Sequence, residues 1–96
     1  MVDGKSQIAL VTGASRGIGQ AIAIELASRD LMVVGTATTI EGSNKISRYL
    51  EDMKVPGTGM TVDVADDESV EKLLGEINEK FGTPAVLVNN AGITRD

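Results

Sequence analysis

Short runs of apolar residues alternate along this chain with longer segments in which apolar residues recur every three or four positions. The runs lie at residues 8–11, 31–37, 59–62 and 85–88. Continuous runs of this length are typical of strands that are covered on both faces, as in a parallel sheet. The longer segments have the spacing of one helix face. Their apolar positions are Ile18, Ile22 and Leu26, then Ile46, Tyr49, Leu50 and Met53, then Val70, Leu73, Leu74, Ile77 and Phe81.

Turn-forming and capping residues divide the chain into the order β-α-β-α-β-α-β. The first helix is predicted to end near residues 28–30, and residues 38–42 are predicted to form a loop. Residues 54–57 end the second helix, because they contain Pro and Gly. Asp66 is a good N-cap for the third helix, and Gly82 is a C-terminal stop. Strict alternation predicts one α/β domain, a doubly wound parallel sheet in the order 3-2-1-4 with helices on both faces.

A glycine-rich turn, Gly13-x3-Gly17-x-Gly19, follows the first strand and opens the first helix. A helix N-terminus presents unpaired N–H groups and the positive end of its dipole, and glycines let a diphosphate approach the backbone. In the predicted strand order this turn lies at the topological switch point, where ligands of open α/β sheets bind. We therefore interpret it as a nucleotide-phosphate site. A tight turn with no ligand is the alternative.

Three other glycine-rich nucleotide sites require different residues at the deciding positions. A P-loop needs Lys-Ser or Lys-Thr after its last glycine, where this chain has Gln20-Ala21. The GxGxxG pattern needs glycines where Ser15 and Ile18 stand. A methyltransferase has an acidic residue before the turn, where this chain has Thr12.

The pattern Thr12-Gly13-x3-Gly17-x-Gly19, together with Asn-Asn-Ala-Gly at residues 89–92, resembles the short-chain dehydrogenase/reductase family. The resemblance implies a Rossmann-type fold, with residues 1–96 as an N-terminal cofactor-binding portion truncated after strand 4. Residues 35–38 and 91–96 also resemble the bacterial branch of that family that acts on acyl carrier protein. The implied function is NADPH-dependent reduction of 3-oxoacyl-acyl-carrier-protein in fatty-acid biosynthesis. The alternatives are another carbonyl substrate within the family and a non-catalytic nucleotide-binding fragment.

Residues in the turn and after the second strand favour NADP(H) over NAD(H). An NAD-binding protein of this kind has an acid about 20 residues past the turn, which accepts from the ribose 2′-OH. Here the neutral donors Thr38 and Thr39 occupy that place, and Arg16 adds a charge that can pair with a 2′-phosphate. The alternatives are Glu41 as the ribose acceptor of an NAD enzyme, and Arg16 as a solvated cation with no partner.

The resemblance further implies which other residues contact the cofactor. Asp63 and Val64 would flank the adenine, and the alternative for Asp63 is a turn residue before the Asp66 cap. Asn90 and the two residues after it would lie along the ribose, with Asn89 tied to the backbone. The full predicted set is Gly13, Ala14, Ser15, Arg16, Gly17, Ile18, Gly19, Thr38, Asp63, Val64, Asn90, Ala91 and Gly92.

No catalytic residue is predicted in this chain. The family's proton donor is a Tyr with a Lys four residues later, whereas Tyr49 is followed at that spacing by Met53 and lies in an apolar stripe. No metal site is predicted, because the consecutive acids at residues 66–68 do not converge on one ion. We therefore expect the 96-residue chain alone to be inactive and marginally stable, with a large exposed apolar patch.

Composition narrows the partners and the location. The formal net charge of −5 and the pI near 4.6 argue against nucleic-acid binding. The chain has no Cys or His, and no apolar run approaches the roughly 20 residues that span a bilayer. We expect a cytoplasmic protein with no membrane or nucleic-acid partner. The resemblance implies a substrate linked to acyl carrier protein, with Arg95 as a candidate docking residue, and a homotetramer for the full-length protein.

Overall fold

The computed structural model describes residues 7–90, which form a four-stranded parallel sheet and three helices. The strand order is β3-β2-β1-β4, the order that the sequence predicts. The elements are β1 (Ile8–Thr12), α1 (Gly17–Ser28), β2 (Met32–Ala37), α2 (Ile40–Asp52), β3 (Gly57–Thr61), α3 (Asp67–Lys80) and β4 (Val86–Asn89).

The first strand is the centre of the molecule. Along β1, alternate side chains point to opposite faces of the sheet. Ala9 and Val11 belong to an apolar cluster that includes residues of α1 and α2, whereas Leu10 belongs to a second cluster with Leu73 and Ile77 of α3. The sheet is therefore covered by α1 and α2 on one face and by α3 on the other, as predicted.

The carboxyl ends of the strands meet at one edge of the sheet. Thr12, the last residue of β1, lies opposite Asn89 of β4, and Ala37 at the end of β2 lies opposite Thr61 of β3. The segments that follow β1, β2 and β4 consequently start side by side. This edge is where an open parallel sheet binds its ligands.

The buried face of α1 differs from the predicted one. Its buried residues are Gly19, Ala23 and Ala27, whereas Ile18 is 72% exposed and Ile22 is only partly buried. Both sets recur every four residues, so the spacing alone does not distinguish them. Small side chains allow the helix to lie close to the sheet, and the larger residues therefore flank the contact instead of filling it.

Two element boundaries also differ from the sequence prediction. The second helix begins at Ile40, inside the segment predicted as a loop, because Thr39 acts as its N-cap and accepts a hydrogen bond from Gly42 N at 3.0 Å. The third strand begins at Gly57, two residues before the predicted apolar run. The third helix is capped by Asp66 as predicted, with Asp66 Oδ1 accepting from Glu68 N at 3.0 Å.

An apolar groove remains open between α3 and β4. Leu87 is 66% exposed and Leu74 is 41% exposed, and both line a cavity of about 280 Å³. This groove corresponds to the exposed apolar patch expected from the sequence. Within residues 7–90, no helix combines the length and the apolar character needed to cross a membrane.

Candidate nucleotide-binding site

A cavity of about 540 Å³ opens at the edge of the sheet where β1, β2 and β4 end. Seven of its lining residues belong to the set predicted from the sequence, and the eighth is Ala37 at the end of β2. The lining residues are Gly13, Ser15, Arg16, Gly17, Ile18, Ala37, Thr38 and Asn90. Among residues 7–90, none of the acidic side chains lines this cavity.

The glycine turn between β1 and α1 requires a backbone conformation that few residues other than glycine adopt. Gly13 has a φ of 65° and Gly17 a φ of 63°, both in the left-handed region. An ideal Cβ on Gly17 would meet nothing within 4 Å, so this position opens directly onto space. The turn therefore exposes main chain to the cavity with no side chain in front of it.

The helix that follows this turn lacks the side-chain cap that the other helices have. Thr39 caps α2 and Asp66 caps α3, whereas Arg16 at the N-cap of α1 makes no capping hydrogen bond through its side chain. The first N–H groups of a helix have no acceptor within the helix, and they carry the positive end of its dipole. The cavity thus contains a set of backbone donors suited to an anion.

The start of α1 lies unusually close to the end of β1. An ideal Cβ on Gly19 would overlap the Gly13 carbonyl oxygen and come within 2.7 Å of Asn90 Nδ2. Asn90 follows β4, and its Nδ2 donates to that same Gly13 oxygen at 3.1 Å. One side chain therefore ties the end of β4 to the glycine turn, and only a glycine at position 19 leaves room for it.

Arg16 and Thr38 both line the cavity with exposed side chains. Arg16 is exposed in the turn, and Thr38 is exposed directly after β2. Glu41 is exposed in the first turn of α2 and does not line the cavity. The described lining consequently offers a cation and a hydroxyl group to a ligand, and no carboxylate.

Comparison with known proteins identifies the family to which this arrangement belongs. A sequence model of the short chain dehydrogenase family matches residues 7–96. The chain belongs to the short-chain dehydrogenase family. Members of this family use a nicotinamide cofactor.

Several curated relatives carry the same name. The chain is 52% identical over 92 residues to 3-oxoacyl-acyl-carrier-protein reductase FabG of Pseudomonas aeruginosa, covering 96% of this chain and 37% of that protein. The FabG proteins of Haemophilus influenzae and Escherichia coli are 53% and 52% identical over 92 residues, with 96% of this chain covered. The chain spans about 37% and 36% of their respective lengths.

A second pair of residues links β1 to β4 in this short-chain dehydrogenase. Thr12 Oγ1 donates to Asn89 Oδ1 at 3.1 Å and also approaches the Val88 carbonyl oxygen at 3.5 Å. The sequence predicts a backbone tie for Asn89, and the contact described here joins it to a side chain. Asn89 and Asn90 thus hold the two consecutive residues Thr12 and Gly13 at the point where β1 becomes the turn.

Tyr49 contacts the glycine turn, which the sequence does not predict. Its hydroxyl group donates to the Ala14 carbonyl oxygen at 2.7 Å, across 35 positions of the chain. Ala14 N in turn donates to the Thr36 carbonyl oxygen at 2.9 Å. The sequence does contain one indication of such a contact, since Tyr49 lies within an apolar stripe. A partly buried phenol usually has a hydrogen-bond partner.

The other members of the predicted set that the structure describes do not line the cavity. Ala14 is fully buried and Gly19 lies behind the turn. Asp63 Oδ1 accepts from Ala65 N at 3.0 Å, as in a turn, and Val64 lines the apolar groove beside α3. The contact expected between these two residues and the adenine stays a prediction. Ala91 and Gly92 lie outside the described residues.

The close approach at Gly19 predicts a large difference between two glycine substitutions. Gly19→Ala should lower the free energy of unfolding by about 1–3 kcal/mol, because its Cβ has backbone oxygen in its path. Gly75→Ala is the control, since Gly75 is exposed in α3 and its Cβ would meet nothing within 4 Å; it should stabilise by up to about 1 kcal/mol. Urea unfolding measures both, and equal stability of the two variants would contradict the packing.

The burial of Tyr49 predicts that its hydroxyl group loses its proton at a higher pH in the folded protein than in the unfolded chain. Burial raises the pKa of Tyr49 from 10.0 to about 12, so the folded state favours the neutral phenol. The associated stability is complete below pH 10 and is lost as the pH rises through about 12. The chain has one Tyr and no Trp, so near-ultraviolet absorbance of the phenolate reports this group alone. A midpoint that is the same in the folded chain and in urea would refute the burial.

Proposed function

We propose that this chain binds NADP(H) in the cavity at the N-terminus of α1. The observation that carries the proposal is that uncapped helix donors, an arginine and a threonine line one cavity, while the described lining contains no acid. We further propose that the protein reduces 3-oxoacyl groups on acyl carrier protein. That part is supported by the relatives, which are named 3-oxoacyl-acyl-carrier-protein reductase.

The residues of the turn fit the diphosphate of a dinucleotide. A diphosphate carries negative charge and many acceptor oxygens, and the first turn of α1 offers backbone donors and a positive dipole. Gly13 and Gly17 place no Cβ between those donors and the cavity. We assign the diphosphate to the turn from Gly13 to Gly17, with Gly19 and Asn90 holding the turn in place.

The side chains of Arg16 and Thr38 fit a phosphate on the adenosine ribose. Arg16 provides a planar set of N–H donors, which pair well with phosphate oxygens, and Thr38 provides a hydroxyl group. Glu41 is the first acid after β2 along the chain, and it does not line the cavity. A carboxylate in the cavity lining would repel a 2′-phosphate. The position of Glu41 outside the lining therefore supports NADP(H) over NAD(H).

The part of this chain in the reaction is to bind and orient the cofactor. Bound NADPH supplies a hydride to a substrate carbonyl, whose oxygen then needs a proton from an acid. Tyr49 is the single tyrosine of the sequence, and its hydroxyl group already donates a hydrogen bond to the Ala14 carbonyl oxygen. We therefore assign no proton transfer to Tyr49 and propose that the 96-residue chain alone does not catalyse the reduction.

The proposal extends to partners and location on the strength of the family resemblance. The substrate is a 3-oxoacyl group linked to acyl carrier protein, the full-length protein is a homotetramer, and its location is cytoplasmic. Arg95, the candidate for contact with the acidic carrier, lies outside the described residues. Its assignment rests on the sequence alone.

Substitution of Arg16 tests the choice of cofactor. Arg16→Ala should raise the Kd for NADPH about tenfold or more, because it removes a charged donor to the 2′-phosphate. The Kd for NADH should change less than about twofold, since NADH lacks that phosphate. Titration of cofactor fluorescence on the intact protein measures both.

The matched control is Arg48→Ala, which removes an exposed cation from α2 outside the cavity and should leave both Kd values unchanged. Equal losses of NADPH and NADH binding in Arg16→Ala would overturn the assignment of NADP(H). Failure of the unmodified protein to bind either nucleotide would overturn the proposed function as a whole.

A further inference from the structure

We infer that Tyr49 is a positioning residue of the nucleotide site, whose hydroxyl group fixes the peptide between Ala14 and Ser15 so that Ser15 N–H faces a bound phosphate. The inference rests on the proposed function, since it names how that site is kept ready for its ligand. Tyr49 lies on α2, outside the turn and outside the cavity lining. Its effect on a ligand would therefore be indirect.

Two hydrogen bonds hold Ala14 in one orientation. Ala14 N donates to the Thr36 carbonyl oxygen at 2.9 Å, and the Ala14 carbonyl oxygen accepts from Tyr49 at 2.7 Å. Ala14 is 0% exposed, so water does not reach it to replace either partner. The turn is thereby bonded to β2 through one atom of Ala14 and to α2 through another, between Gly13 and Ser15, which both line the cavity.

The planarity of the peptide bond carries this restraint to the next residue. In a trans peptide the carbonyl oxygen of one residue and the N–H of the next point in opposite directions. The Ala14 oxygen points into the protein towards α2, which turns Ser15 N–H away from α2. Ser15 lines the cavity, so this N–H is directed to the side where an anion would bind.

Loss of the hydroxyl group would leave the Ala14 carbonyl oxygen buried without this partner. A buried carbonyl without a hydrogen bond is unfavourable, and rotation of the peptide towards solvent relieves that cost. Such a rotation turns the Ser15 N–H away from the side on which an anion would bind. The expected consequence is weaker binding of a phosphate, in addition to any loss of stability.

A purely structural role for Tyr49 makes a different prediction. In that case its hydroxyl group only satisfies a buried carbonyl, and removal lowers stability without changing the affinity of the folded protein. Ser47 provides a matched comparison, since it lies on the same helix and its Oγ accepts from Gly59 N at 2.8 Å. Ser47 joins α2 to β3 and does not line the cavity.

The test compares Tyr49→Phe with Ser47→Ala in the natural protein that contains these residues. Both variants should lower the melting temperature, because each removes one hydroxyl group that is bonded to backbone. Tyr49→Phe should raise the Kd for NADPH about fivefold or more, and the Kd for pyrophosphate in parallel. Ser47→Ala should leave both Kd values within about twofold.

Three results would overturn the inference. They are an unchanged Kd in Tyr49→Phe, an equal loss in Ser47→Ala, and a loss of NADPH binding with pyrophosphate binding unchanged. If the unmodified protein binds pyrophosphate but not NADPH, the proposed function is wrong. The role of Tyr49 is then still tested by the Kd for pyrophosphate in Tyr49→Phe and Ser47→Ala. If it binds neither, both the function and the role of Tyr49 are wrong.

A measurement without substitution covers the case in which Tyr49→Phe does not fold. The amide proton of Ser15, followed by nuclear magnetic resonance in the unmodified protein, should show one of the largest shifts when pyrophosphate is added. An unmoved Ser15 amide, with other amides of the turn shifted, would contradict the orientation inferred for this peptide.

Discussion

The site depends on one close contact, between the first turn of α1 and the end of β1. Gly19 lies against the Gly13 carbonyl oxygen with no room for a Cβ, and Asn90 donates to that oxygen from the end of β4. This contact sets how near α1 begins to the sheet. Because the helix starts there, its unpaired N–H groups face the edge where the strands end, and the cavity has its donors.

The architecture follows from the sequence because the pattern is strong at the level of whole elements. Apolar runs that alternate with helical spacing leave few topologies for a parallel sheet, and right-handed crossovers reduce them further. The pattern is weaker within an element. In α1 the rows that contain Ile22 and Ala23 recur at the same interval. Ile22 and Leu26 of the predicted row pack against the core, but the fully buried row is that of Ala23. The short distance between α1 and the sheet favours small residues at the contact, and the hydropathy pattern does not record that distance.

The candidate site was predictable where its residues directly follow a strand. The glycine turn, Thr38 and Asn90 each follow a strand directly, and strand order then brings them together. Tyr49 was not predictable as part of it, because Tyr49 lies within α2 and does not follow a strand. Spacing showed only that Tyr49 belongs to a buried helix face, and the partner of its hydroxyl group depends on how α2 lies against the turn.

The molecule combines a rigid turn with an exposed charge. Ala14 is held by a backbone carbonyl and by the Tyr49 hydroxyl group, whereas Arg16, two residues later, is exposed and lines the cavity. The fixed part orders backbone donors before a ligand arrives, which reduces the entropy lost on binding. In the proposed binding mode the fixed turn meets the diphosphate, which every dinucleotide carries. The exposed Arg16 side chain meets the 2′-phosphate, which NADP(H) has and NAD(H) lacks.

We propose that NADP(H) binds across the start of α1 with its 2′-phosphate beside Arg16 and Thr38. A crystal structure of the natural protein with NADPH tests it most directly. We expect the diphosphate to lie against the N–H groups of the glycine turn, and the 2′-phosphate to lie within hydrogen-bond distance of Arg16 and Thr38. A cofactor bound elsewhere, or an adenosine ribose whose 2′ position faces Glu41, would contradict it.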